Sequence, residues 1–134
     1  MITERLDPES LHAIPGVAQI TVATGTKFIQ IAGQADLDTA GNVVGTTYRA
    51  QTTGALRNLH AALAAAGAEQ ADMTSMTWYV VDYTEEVLTE IYLGSGDRAA
   101  ETGKPPMPTA LTLVGVSALW KAGLLVEISA TAVI

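Results

Sequence analysis

Leu124-Leu125-Val126-Glu127-Ile128-Ser129-Ala130-Thr131-Ala132-Val133 alternates two kinds of side chain. Val126, Ile128, Ala130 and Ala132 fall on one side; Leu125, Glu127, Ser129 and Thr131 fall on the other. Successive side chains of an extended chain point to opposite faces, so the spacing predicts a strand over 124–133 with one apolar face. That face needs a cover. Ala55, Leu56, Leu59, Ala62, Leu63 and Ala66 recur at helical spacing and supply one, in a helix predicted over 47–66 with Gly67 as its stop.

Working outward, Met73 to Val81 reads as a strand rich in bulky residues. Asp82 or Thr84 can cap a second helix, with Glu85 and Glu86 in its first turn and Val87, Leu88, Ile91 and Tyr92 as its apolar stripe. Gly94-Ser95-Gly96 is expected to break or loosen that helix. Thr102 to Pro108 carries three prolines and reads as a stiff, extended loop, followed by a strand over Leu111 to Ser117. Towards the N-terminus, residues 1–16 are polar and turn-rich. Val17 to Val22 and Phe28 to Ala32 read as strands joined at Thr24-Gly25-Thr26 into a hairpin. The order ββ-α-β-α-ββ makes residues 1–134 one α+β domain, a mixed sheet with two helices on one face.

Composition narrows the function classes. Seven Lys and Arg stand against 14 Asp and Glu, a formal charge of −7, and no basic run exists to neutralise phosphates. Nucleic acid and anionic membranes are therefore disfavoured as partners. With no cysteine there is no disulfide framework and no thiolate chemistry. The N-terminal Met1-Ile2-Thr3-Glu4-Arg5 lacks the features of a signal peptide, and no apolar run approaches the length of a span, which leads to the expectation of a cytoplasmic protein. Only 16% of residues are charged, low for a monomer that must cover its whole surface, so an oligomer is expected.

Few residues can carry chemistry. Glu127, flanked by large aliphatics, is either a general acid/base or water-orienting group, or a strand-face carboxylate turned to solvent or to an interface. Gly33-Gln34 ends an apolar run; it either offers backbone groups to a ligand or forms a plain bulge. Tyr92 either points its hydroxyl into a cleft or packs on the sheet. His12 and His60 are the only histidines, without partners at metal-ligand spacing, so no metal site is expected. Neither a nucleophile elbow, a phosphate loop nor a dinucleotide fingerprint is present.

Taken in order, the segments resemble one family. Ile29-Gln30-Ile31-Ala32-Gly33-Gln34 with Asp36-Leu37-Asp38, then Gly41-Asn42-Val43-Val44-Gly45, is similar to the Rid family, the reactive-intermediate deaminases, also called YjgF-like and formerly labelled L-PSP endoribonucleases. Leu63 to Ala68, Val80-Val81-Asp82, the Pro-rich loop and Leu125 to Ala132 match as well, so the resemblance runs from about residue 15 to the C-terminus.

The resemblance implies a chorismate-mutase-like protomer in a homotrimer, with a small-molecule site in each intersubunit cleft and no cofactor. The implied activity is hydrolysis of 2-imino or 2-enamino acids to 2-keto acids and ammonia. Glu127 matches the family's last-strand carboxylate, Gly33 and Gln34 its Gly-Gln, and Tyr92 its helix tyrosine. Elsewhere the match fails: Leu111 stands at the carboxylate-binding arginine, Ala32 at the serine, Val17 at the N-terminal tyrosine and Thr89 at the asparagine. Pro108 to Leu119 holds no Arg or Lys, so a one-residue slip restores nothing; Lys104 or Arg98 are the candidate substitutes. Losing one partner of a buried charge pair costs roughly 2–5 kcal/mol, a factor of about 30 to several thousand.

The expectation is therefore a family member without the archetypal imino-acid deaminase activity. It is either an enzyme in which Glu127 activates water against an imine, enamine or carbonyl compound, or a non-catalytic metabolite-binding module. A nuclease is the weakest reading, given the charge of −7.

Overall fold

The computed structural model describes residues 1–134. Its elements follow in the order β1 (Ile2–Leu6), β2 (Ile20–Ala23), β3 (Phe28–Gln34), α1 (Tyr48–Ala65), a 3₁₀ turn (Gln70–Asp72), β4 (Met73–Val81), α2 (Glu85–Thr102), β5 (Ala110–Val116) and β6 (Val126–Val133). β6 lies inside a four-stranded mixed sheet of order β3-β6-β4-β5. It runs antiparallel to both β3 and β4, and β5 joins β4 in parallel. The fold is α+β, as expected. No helix is long and apolar enough to cross a membrane.

The alternation in β6 divides the sheet into two faces. Val126, Ile128, Ala130 and Ala132 are buried and join Ala55, Leu56, Leu59 and Leu63 of α1 in one core cluster, with Trp78 and Val80 of β4. Both helices lie on this side: α1 crosses β6 and β3, and α2 packs on α1. The opposite face carries Glu127, Ser129 and Thr131 and no helix covers it.

The local signals explain both helices. The Thr47 hydroxyl accepts from the Ala50 N–H at 3.1 Å at the start of α1, and the Thr84 hydroxyl accepts from the Val87 N–H at 3.2 Å at the start of α2. Gly103 ends α2 with φ +68°, a left-handed conformation that favours glycine.

Three expectations are corrected. First, the polar segment Ile2–Leu6 is a strand; it pairs antiparallel with β2 in a separate two-stranded sheet. Second, β2 and β3 therefore form no hairpin. The Thr24-Gly25-Thr26 turn is tied to the chain end, where the Ile134 carbonyl accepts from the N–H groups of Thr26 (2.9 Å) and Lys27 (2.8 Å). β3 then pairs with β6, setting Ile31 opposite Ala130 on the core face. Third, α2 runs unbroken through Gly94-Ser95-Gly96. A Cβ at position 94 would lie 2.4 Å from the Arg49 carbonyl oxygen, so the glycine is what lets α2 approach α1 closely. The Thr53 hydroxyl closes the same contact by donating to the Gly94 carbonyl at 2.9 Å.

Candidate functional site

β3 reaches Gly33 through a bulge. Ile31 pairs with Ala130 and Gln34 with Ile128, so Ala32 and Gly33 together oppose the single residue Ser129. The bulge brings Gly33 under the side chain of Glu127. A Cβ on Gly33 would lie 2.6 Å from Glu127 Cδ and 2.9 Å from its Oε1. Gly33 is not in a left-handed conformation, so room for the carboxylate is what this position supplies. The Gln34 amide turns back and donates to the Ala32 carbonyl at 3.2 Å.

Glu127 is half-buried on the helix-free face. Its neighbour across β4 is Tyr79, and the next residues along the same face are hydroxylic. Thr131 Oγ1 lies 2.6 Å from Thr74 Oγ1 and 2.7 Å from Ser75 Oγ. A cavity of about 400 Å³ is lined by Ala32, Gln30, Ser75, Thr77, Ser129 and Thr131 among others. A second, of about 450 Å³, shares Ser75 and Thr77 and reaches Val17, Leu111 and Thr112. Val17 arrives there through a parallel bridge to Thr109. No lysine or arginine lines either cavity.

Leu111 needs a correction of face. It pairs with Met76, and its side chain packs against the core. Thr112, paired with Thr77 and through it with Ser129, is the β5 residue that shares the face of Glu127. A one-residue step reverses the face of a strand, so within one chain Thr112 shares the face of Glu127 while Leu111, partly buried against the core, borders the second cavity from the strand's other side.

Thr89 and Tyr92 lie exposed on α2, in the helical layer on the other side of the sheet. Tyr92 therefore neither packs on the sheet nor meets Glu127 within one chain. Arg98 is also held in that layer: its Nε donates to His60 Nδ1 at 3.1 Å and its Nη1 to Glu101 at 2.9 Å. Lys104 is exposed, with Glu69 at 3.7 Å. Within one chain neither cation stands in for the missing arginine.

One residue that sequence pattern does not single out is Trp120. It is 68% exposed and lines a cavity of about 380 Å³ together with Gly33, Gln34 and Asn58. A tryptophan in a short connection has no periodicity to betray its role. Asn58 donates to the carbonyls of Ala35 (2.7 Å) and Leu37 (3.1 Å), which braces one wall of that cavity, and Lys121 beside Trp120 donates to the Gly41 carbonyl.

Residues 11–134 match the family model described as Endoribonuclease L-PSP. Among solved structures, the Rid-family protein YyfB of Yersinia pestis is similar at 31% identity over 98% of both chains, with a TM-score of 0.85. Rv2704 of Mycobacterium tuberculosis, described as a member of the YjgF/YER057c/UK114 family, is 28% identical over 90% of this chain and 88% of its own, with a TM-score of 0.62. The YjgF product of E. coli, 24% identical over 90% of each chain at a TM-score of 0.66, shares the fold. No curated protein matches the chain.

Proposed function

The chain belongs to the Rid/YjgF-like family, and from that premise we propose that it assembles as a homotrimer and takes a small, carboxylate-poor metabolite at Glu127 in each intersubunit cleft. The observation that carries this reading is the Glu127 carboxylate lodged over Gly33 on a face lined by hydroxyls and free of cations.

Several features support assembly. The helix-free face leaves Phe28 66% and Val114 38% exposed, and β3 and β5 are both open edges. Sheets with such a face and such edges are normally covered. Assembly would also give the exposed Thr89 and Tyr92 a route into a cleft built from two chains.

The chemistry follows from the carboxylate. Glu127 takes a proton from a water molecule, whose oxygen attacks the carbon of a C=N bond. Glu127 returns that proton to nitrogen and then carries the hydroxyl proton of the tetrahedral adduct to the same nitrogen, which leaves as ammonia; the product is a carbonyl compound and the carboxylate is regenerated. One water is consumed, one ammonia is released, and the step balances without metal or organic cofactor. The bulge at Ala32-Gly33 would leave backbone groups free to face developing charge. What this site lacks is a cation for a substrate carboxylate. Hydrolysis of 2-imino acids should therefore be weak, and a neutral imine, enamine or carbonyl compound fits better. The nuclease activity in the family description finds no support in a chain of net charge −7.

The alternative is a module that binds a metabolite without converting it, favoured by the same scarcity of catalytic partners around Glu127. Glu127→Gln separates the two. Lost ammonia release with ligand binding retained supports catalysis; equal binding by both proteins, with no turnover by wild type, supports the binder. Turnover of 2-iminobutanoate by the wild type at the rate of an arginine-bearing relative would overturn the proposed specificity.

A further inference from the structure

The helical side of the molecule holds a second set of cavities, separated from Glu127 by the sheet. A small one of about 50 Å³ lies among Leu56, Met73, Met76 and Trp78. A larger one of about 590 Å³ adjoins it, and the two share His60, Gln70, Arg98, Thr102, Lys104 and Met107. The walls are α1, α2, the start of β4 and the Pro-rich loop.

The polar groups here are mostly donors. Trp78 is 5% exposed, yet its indole N–H is buried without an acceptor. An unmet buried donor costs free energy that a bound acceptor would recover. His60 accepts from Arg98 at Nδ1, which leaves the imidazole proton on Nε2 as a further donor. Burial, and then the neighbouring Arg98, hold the His60 pKa below its ordinary value, so the ring is neutral near pH 7. Arg98 uses Nε and Nη1 for His60 and Glu101 and has Nη2 uncommitted, with its side chain 17% exposed.

The cations that line these cavities are Arg98 and Lys104, beside Glu101 at 2.9 Å and Glu69 at 3.7 Å. The Lys104–Glu69 pair is solvent-exposed and weak, and Arg98 keeps Nη2 for a further acceptor. Apolar depth, a stranded donor and the free Nη2 of Arg98 at the mouth together match a ligand with an anionic head and an aliphatic body.

We propose that the groove between α1, α2 and the Lys104–Met107 segment is a second binding site, for a small aliphatic carboxylate whose head meets Arg98 and Lys104 and whose body enters between Leu56, Met73 and Met76. An oxygen of the ligand accepts the Trp78 N–H. The small cavity holds about three to four water-sized groups, enough for a short branched end.

The test uses the full-length protein, ¹⁵N-labelled, with 4-methylpentanoate as probe and 4-methylpentanamide as its uncharged counterpart. The expected result is a saturable shift of the Trp78 indole N–H signal by the carboxylate, with at least about tenfold weaker binding of the amide. Arg98→Gln should weaken the carboxylate by at least about tenfold, and Lys104→Gln, at an exposed position that folding does not need, by about threefold. Glu127→Gln should leave it unchanged. No movement of the Trp78 signal at about 10 mM probe, which is weaker than any useful site, would overturn the proposal. So would equal binding of acid and amide, or loss of binding in Glu127→Gln with none in the two cation variants.

Discussion

The carboxylate of Glu127 fills the space that a side chain at position 33 would occupy, with Cδ 2.6 Å from where that Cβ would stand. The two residues are thus one device: the bulge in β3 creates a hollow and the central strand β6 fills it with an acid.

Gly33→Ala tests that device. The backbone at Gly33 admits an L-residue, and the obstructing atoms belong to a flexible side chain rather than to main chain. Glu127 should swing away and the fold should persist. Stability is expected to fall by less than about 1 kcal/mol. Any turnover that Glu127→Gln abolishes should drop by about tenfold or more, a loss of about 1.4 kcal/mol in the transition state. Urea midpoints and the same activity assay check both. Unchanged activity in Gly33→Ala would mean that the contact has no part in the function.

The two faces of β5 make a paired prediction. Leu111→Arg drives a guanidinium towards the core beside Met76 and should cost roughly 2–4 kcal/mol, read as a lower urea midpoint. Thr112→Arg sets the same group on the helix-free face, outside the core of the chain, and should cost at least about 1 kcal/mol less than Leu111→Arg. Ammonia release from 2-iminobutanoate should rise in Thr112→Arg and not in Leu111→Arg. The opposite pattern would mean that β5 is shifted by one residue from the register that pairs Leu111 with Met76 and Thr112 with Thr77.

The same pair shows how far sequence pattern reaches. The strand β6 and the helix α1 are legible because each has one buried face and a strict period: Ile128 and Ala130 on one, Leu59 and Leu63 on the other. Glu127 and Gly33 can be singled out separately, as a carboxylate among aliphatics and a glycine at a strand end. β1 is not legible, since Thr3, Glu4 and Arg5 are polar and its only partner is a short strand. The turn at Gly25 imitates a hairpin because the hydrogen bonds that set it go to Ile134, at the far end of the chain. Leu111 is matched to the site by resemblance although it faces the core, because resemblance aligns positions but does not orient side chains. Trp120 gives no signal, having no periodicity or motif around it.

Gly94 and Gly96 break the helical pattern equally on paper and differ in the folded chain. A methyl group at position 94 would meet main chain, the Arg49 carbonyl at 2.4 Å, and Thr52 Cβ at 2.8 Å. Gly94→Ala must therefore push α1 and α2 apart and should cost roughly 1–3 kcal/mol. At position 96 a methyl group meets nothing within 4 Å. Gly96→Ala should stabilise by about 0.5–1 kcal/mol, the helix propensity gain of alanine over glycine. Thermal or urea unfolding of the two variants decides it, and equal effects of the same sign would contradict the close helix contact.

His60 and Glu101, linked through Arg98, should give stability two separate acid limbs. Burial, and then the positive charge of Arg98, lower the pKa of His60 from its ordinary 6.5. Between that value and its lowered folded one, the unfolded chain binds the proton and the folded chain does not. The contribution of His60 is therefore complete above pH 6.5 and is lost progressively as the pH falls below it. Glu101 behaves alike at lower pH: its bonds to Arg57 and Arg98 hold its pKa below 4.5, so its contribution is present above that value and fades beneath it. Replacing His60 by Gln, whose carbonyl oxygen can still accept from Arg98, should remove the upper limb and leave the lower one. Urea midpoints measured from pH 8 down to pH 3 would show this, and a His60→Gln protein that still weakens between pH 6.5 and 5 would assign that limb to some other group.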